Sequence, residues 1–185
     1  AEADGVLFSD GAAVVVLKTL DRARADGDHI LGLLTGGGTS ADGRGKAIYA
    51  PNTKGQQVAI ERAWTTAGIG ANDVDWVVAH GTGTRAGDQV EVKTLTAALA
   101  GHPGVWVTSN KSIVGHTGWV AGIVSLIHVL TALQHRLIPG QRRFTAAPAA
   151  WQLERTPLRI PTTDQAWPQP PDRPRTAAVS GFGFG

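Results

Sequence analysis

Cysteine is absent from the 185 residues, which excludes a disulfide framework, a thiolate zinc site and a thiol nucleophile within this chain. Methionine is absent as well, so no initiator is present and a segment of a longer, cut or processed protein is expected. No apolar run approaches the roughly 18 residues of a membrane span, and the mixed, acidic start is unlike a signal peptide, so no membrane partner is expected. Net charge is small: 17 basic against 15 acidic residues leave +2, too little to imply nucleic acid. From Val92 through Leu153 there is no Asp or Glu, while that stretch holds Lys93, Lys111, Arg136, Arg142 and Arg143. The local field there is positive and suits an anionic ligand or an acidic partner. What the chain does have is 42% hydrophobic residues, a globular share, and 24 glycines, nearly twice the usual roughly 7%. The length is that of one domain, or one domain and a fragment.

Periodicity alternates along the chain. Ala12 to Lys18 is a β-branched run that predicts a buried strand, Asp21 to Asp28 a helical turn, and Ile30 to Leu34 a second strand running into the Gly36–Gly38 loop. That loop has no helix N-terminus directly behind it, so it is expected to be a flexible turn and not a phosphate cradle. Gln56 to Ala67 has helical spacing with Gly68 as its stop, Val74 to Ala79 is a strand, and Asp88 to Ala100 is a helix opened by Asp88 and Glu91. Val105 to Thr108 is a strand, and Val120 to Arg136 is a helix apolar over most of its circumference, expected to lie buried between layers. Eight of the ten prolines fall from Pro139 onward, so 161–174 is expected to be irregular surface chain between strands at Leu158 to Ile160 and Thr176 to Ser180. After residue 30 the order is β-α-β-α-β-α-β-β: an α/β fold with a parallel-centred, mixed five-stranded sheet, helices on its faces and an antiparallel edge. The strand before residue 20 has no partner here and is expected to expose an apolar face at Val14 to Leu17 for another chain to cover.

Ligands of open α/β sheets bind beyond the carboxyl ends of the strands. Three such ends carry polar, glycine-rich sequence: His80-Gly81-Thr82-Gly83-Thr84, Asn110-Lys111-Ser112-Ile113-Val114-Gly115-His116-Thr117-Gly118, and Gly181-Phe182-Gly183-Phe184-Gly185. On neighbouring strands they bring two imidazoles, an ammonium and free backbone amides to one rim, donors suited to a carbonyl oxygen gaining negative charge. Parallel strands joined by a crossover lie close, so the two rings are expected to approach within about 8 Å, with Lys111 beside His116, Phe182 facing the same cavity and no metal between them. His29, His102, His128 and His135 read as structural. A rival motif is Gly81-Thr82-Gly83-Thr84-Arg85-Ala86, which satisfies G-x-G-x-x-A between strand and helix. A dinucleotide site needs an acidic residue about 20 positions on, and none is there. An NADP-binding α/β domain using Lys111 remains formally open but leaves both histidines unexplained.

Together, in this order and on this frame, the three motifs closely resemble the C-terminal half of a β-ketoacyl synthase (ketosynthase) of the thiolase fold, in the style of modular polyketide synthases. Gly5 to Lys18 is similar to the strand closing the first half of that fold, Ala50-Pro51-Asn52 with Gly55-Gln56 also matches, and Asp88 and Glu91 match the acidic residues that follow the first motif. The resemblance implies residues 1–29 as the end of an N-terminal half and 30–185 as the C-terminal half. It implies catalytic His80 and His116 polarising the thioester of a malonyl-type extender, with Lys111 ordering the site. Thr82 and Thr84 would bind the phosphopantetheine arm of an acyl carrier protein, and Phe182 would gate the acyl pocket. No cofactor is implied beyond that carrier-borne phosphopantetheine. The partners implied are the acyl carrier protein, the missing N-terminal half with its nucleophilic cysteine, and a second copy in a cytoplasmic homodimer; the fragment alone is expected to be inactive. Two positions depart from the family pattern: Gly118 stands where a glutamate partner for the lysine is usual, and Trp119 where a small residue is usual. They motivate the alternative of a non-condensing acyl-transfer module.

Overall fold

The run Val74-Asp75-Trp76-Val77-Val78-Ala79 is apolar on both of its alternating faces, the pattern of a strand covered on both sides. In the computed structural model, which describes residues 4–43, 47 and 50–183, that run is the middle of the molecule. The elements in chain order are α1 (Leu20–Ala25), α2 (Thr53–Ala67), β1 (Trp76–Val78), α3 (Arg85–Ala98), β2 (Val105–Thr108), α4 (Lys111–Val114), α5 (Ala121–His135), β3 (Leu137–Ile138), β4 (Leu158–Arg159), β5 (Gln165–Ala166) and β6 (Ala177–Val179). β4, β2, β1 and β6 form one sheet in that order, every pairing parallel, with Val78 opposite both Thr108 and Val179.

Alternation on β1 sends its side chains to two cores. Val77 joins Val74, Ala79, Val105, Val107 and Leu158 against Leu95 of α3 and Leu99 at its C-cap, with Ile60 and Trp64 of α2 behind them. Trp76 and Val78 face the other way, onto Val129 and Ala132 of α5, Ile138 and Trp167. Asn52 caps α2 by accepting from the Lys54 N–H at 3.0 Å, and Gly68 ends it in the left-handed region at φ 67°.

The α/β class stands, while the strand inventory departs from expectation in several places. Ala12 to Lys18 forms no strand: Val14 and Val16 are 86% and 89% exposed, because no sheet edge of this chain reaches them. Ile30 to Leu34 is likewise unpaired; Gly32 lies so close to α5 that a Cβ there would stand 2.9 Å from Leu130. Among the described residues the sheet therefore has four strands instead of five and no antiparallel edge. The antiparallel pair is a separate one, β3 with β5. Its second strand, β5, sits inside the 161–174 segment expected to be irregular, held there by Trp167, which is buried. The Gly36–Gly38 run is not a free turn. It lies flat on α2, where a Cβ on Gly36 would come within 2.6 Å of the Ala63 carbonyl and one on Gly38 would collide with the Ala59 carbonyl. α5 buries one face on the sheet but is not enclosed between layers, since this chain supplies no second layer and Ile127 remains exposed. Gly118–His135 is long and apolar enough in composition to suit a membrane span, yet its Val129–Ala132 face is taken up by the core.

Asp75 fixes β6 beside β1. Its Oδ2 accepts from Trp167 Nε1 at 3.0 Å and from the Thr176 N–H at 2.9 Å, while Oδ1 accepts from the Arg173 guanidinium. The pair is only half-buried, so Arg173 can regain water, and the larger cost of removing the carboxylate is the Trp167 and Thr176 N–H donors left without an acceptor, at about 1–3 kcal/mol. Asp75→Ala is therefore expected to lower the urea midpoint by an amount equivalent to about 2–3 kcal/mol with the slope unchanged. A loss under about 1 kcal/mol would mean that strand pairing alone sets β6.

Candidate active site

Because β1, β2 and β6 are parallel and in register, their carboxyl ends open on one rim. β1 runs through Ala79 into His80, β2 through Ser109 into Lys111, and β6 through Ser180 into Phe182. The first loop is gripped from both sides. Glu91 of α3, 4% exposed, accepts from the His80 N–H on one oxygen and the Gly81 N–H on the other, both at 2.8 Å. Asp88 accepts from the Gly83 N–H at 3.2 Å. Across the sheet the Ser109 hydroxyl donates to the carbonyls of His80 at 3.3 Å and Gly81 at 3.2 Å. Gly81 is left-handed at φ 43°, and a Cβ there would lie 2.8 Å from the Ser109 Cβ.

The His116 loop is held by the N-terminal segment. The His116 N–H donates to the Leu7 carbonyl at 2.7 Å, the Ser9 N–H to the His116 carbonyl at 3.1 Å, and the Ser9 hydroxyl to the Val114 carbonyl at 2.6 Å. Gly115 is at φ 74°, where a Cβ would meet the Ser9 hydroxyl at 2.7 Å. The Gly5 N–H reaches the Gly83 carbonyl at 3.2 Å, so this strap ties to both histidine loops.

The two imidazoles meet edge to face, ring centres 5.3 Å apart and planes at 88°. Phe182 stacks edgewise on His80 at 5.9 Å, and Phe8 lies 5.7 Å from His116. Phe184 and Gly185 of the third motif lie outside the described residues. Lys111 is only 8% exposed. Burial lowers its pKa, opposed by the negative charges of Glu91 and then Asp88. The lysine therefore has acidic company despite Gly118 in place of the usual glutamate. Burial also drives His80 down to about 3, helped by the positive field of Lys111 and then by His116. His116 is lowered by burial and by Lys111. Both rings are neutral at pH 7. The Gly118 N–H donates to His116 Nδ1 at 3.0 Å, so the neutral ring carries its proton on Nε2, free to donate outward. His80 Nδ1 is buried with no partner among the described residues.

Thr82 and Thr84 are half-buried and share a hydrogen bond of 3.0 Å, one residue pair on the lip of the His80 loop. Trp119 stands fully exposed three residues from His116. His102 caps its own turn through the Gly104 N–H, His128 packs its ring 5.4 Å from Trp76, and His29 and His135 are exposed. No cluster of three or more His, Asp or Glu side chains suited to a metal occurs among the described residues. The dinucleotide alternative meets a direct obstacle, since the amides of His80, Gly81 and Gly83 that would cradle a diphosphate are already bonded to Glu91 and Asp88. Sequence reasoning placed Glu91 in a helix first turn and in the family pattern without giving it a role, and did not single out Ser109 or Gln141. Glu91 had a signal, an acid one helical turn after Asp88 just behind a glycine loop; Gln141 had none.

The fold is that of a thiolase-like domain, and comparison with known proteins agrees. Residues 31–145 match the family model for the β-ketoacyl synthase C-terminal domain, and the chain belongs to that family. It is 39% identical over its whole length to a PKS-NRPS hybrid synthetase, acdB, of Aspergillus candidus, spanning 8% of that protein. It is equally similar, 39% over its whole length and 10% of the relative, to a phenolphthiocerol/phthiocerol polyketide synthase of Mycobacterium tuberculosis. Ketosynthase twelve of the bacillaene polyketide synthase from Bacillus amyloliquefaciens superposes with a TM-score of 0.93 at 32% identity, over 99% of this chain and 33% of that one. The chain thus spans a third of that ketosynthase and a tenth or less of the polyketide synthases it matches.

Proposed function

We propose that the chain supplies the C-terminal half of a polyketide ketosynthase that performs decarboxylative Claisen condensation, with residues 1–29 as the last part of the preceding half. The observation that carries this is the edge-to-face pair of neutral imidazoles at adjacent strand ends, backed by a buried lysine. A malonyl thioester held by the phosphopantetheine arm of an acyl carrier protein, along Thr82 and Thr84, would place its carbonyl oxygen toward the two rings. When the C–CO2 bond breaks, its electron pair moves onto the α-carbon and is shared with that oxygen as an enolate. Neutral N–H donors stabilise the oxygen without needing a metal or protonating the carbon. The α-carbon then attacks the acyl thioester on the cysteine of the other half and displaces the cysteine thiolate. Phe182, edgewise on His80, walls the carboxylate side and keeps it dry. Without the cysteine the fragment alone is inactive, and its exposed Val14, Val16 and Leu17 fit coverage by the other half within a homodimeric, cytoplasmic synthase.

The test is to assemble the complete domain around this chain, load the cysteine with an acyl group, and follow both CO2 release and the ketoacyl product by mass spectrometry. Both are expected. Acyl transfer with no CO2 release would select the non-condensing module, for which Gly118 and the exposed Trp119 are the motivating departures.

A further inference from the structure

We propose that Gln141, in the turn after β3, is a positioning residue that holds the two histidine loops at one spacing; the role rests on the condensing reading above. Its backbone is anchored. The Gln141 N–H donates to the Pro161 carbonyl at 2.6 Å, and the preceding Gly140 N–H donates to Asp164 Oδ1 at 2.9 Å. Gly140 lets the Thr163 backbone approach to 2.7 Å of where a Cβ would stand, so the turn is wedged against 161–164.

From that anchor the side-chain amide uses both of its functions. Oε1 accepts from the Ser109 N–H at 2.6 Å, and Nε2 donates to the Ser112 hydroxyl at 2.9 Å and to the Arg142 carbonyl at 3.3 Å. Ser109 and Ser112 bracket the turn that carries Lys111 and leads, through α4, to His116. Ser109 is also the residue whose hydroxyl donates to the carbonyls of His80 and Gly81. One side chain thus closes the His116 turn and, through Ser109, braces the His80 loop. Glutamate would keep the contact to the Ser109 N–H but reverse the Ser112 bond, drawing that hydroxyl off the Ser109 carbonyl, and lose the donation to the Arg142 carbonyl; leucine would lose all three. Gln141 is not placed to touch substrate, so its effect is on geometry, and geometry is costly here. Misplacing a reacting group by about 1 Å can lower a rate about 10²-fold.

In the complete domain, Gln141→Leu is expected to lower kcat for CO2 release from malonyl-pantetheine by up to about 10²-fold with little change in KM, and Gln141→Glu by less. Acylation of the cysteine should be unchanged, and the 15N signals of His116, a single neutral Nε2–H form in the unsubstituted protein, should broaden or split in the leucine variant. A folded Gln141→Leu domain with unchanged His116 signals and unchanged kinetics would overturn the proposal. Should the leucine variant not fold, Gln141→Glu decides by the same two readouts. If the unsubstituted domain releases no CO2, the condensing reading fails, and the His116 signals still decide the role of Gln141.

Discussion

His116→Ala in the complete domain is expected to lower CO2 release by about 10²–10³-fold, the usual cost of removing one preorganised donor from a developing oxyanion. The variant should fold normally, because the ring is only half-buried and its loop is fastened through backbone and Ser9 contacts that alanine keeps. His80→Ala should cost a similar factor. Its half-buried ring packs against both His116 and Phe182, so removal also frees the second ring to tilt. The double variant should therefore fall well short of the product of the two losses, as groups that act as a unit are not additive. Single-turnover CO2 release with the acylated cysteine measures all three. Unchanged release in either single variant would remove that ring from the chemistry. The pH dependence separates the protonation states. Both rings are lowered from 6.5, so neutral donors predict CO2 release that falls only on acidification, whereas imidazolium donors would make it rise on acidification.

Glu91→Gln is the second large effect, and its size changes with pH. Burial outweighs the two amide hydrogen bonds and pushes Glu91 up to about 7, against 4.5 for a free glutamate. The folded state therefore binds more protons between those values. The stability that Glu91 contributes is fully present below pH 4.5 and is lost as pH rises through 7. His80 runs opposite: held near 3 against 6.5, its contribution is present above pH 6.5 and is lost as pH falls through 3. Glutamine turns its NH2 toward the N–H of either His80 or Gly81, leaving one buried amide without an acceptor at about 1–3 kcal/mol. Urea titrations at several pH values should show the Glu91→Gln deficit largest below pH 4.5, shrinking between pH 4.5 and 7, and level above that. A deficit constant with pH would mean that Glu91 does not titrate in this range. Any inflection of the CO2-release rate near pH 7 should vanish in the same variant.

The alternation of apolar residues at Val74–Ala79, the helical spacing of Gln56–Ala67 and the glycine-threonine flanks of His80 and His116 are local properties. They suffice to read out an α/β frame with two histidines at strand ends, and the three motifs suffice for the family. What they cannot carry is which backbone groups are spoken for. That Glu91 grips the His80 and Gly81 amides, that Gln141 reaches Ser109 across 32 positions, and that Gly5–Ser9 straps the His116 loop all depend on crossings that bring distant segments to hydrogen-bond distance. The missed strands have the same origin. Ala12–Lys18 has strand composition and stays unpaired because a strand needs an edge, and edges belong to the sheet and not to the segment. Likewise Gly36–Gly38 reads as a loose turn in sequence, and only the close approach of α2 shows why side chains are excluded there. The sequence by itself determined the α/β class, the three strand-end motifs and the family, because these are written in residue type and spacing. The tertiary structure decided the charge state of His80, the company of Lys111 and the rigidity of both loops, because burial and long-range hydrogen bonds exist only once the chain has folded.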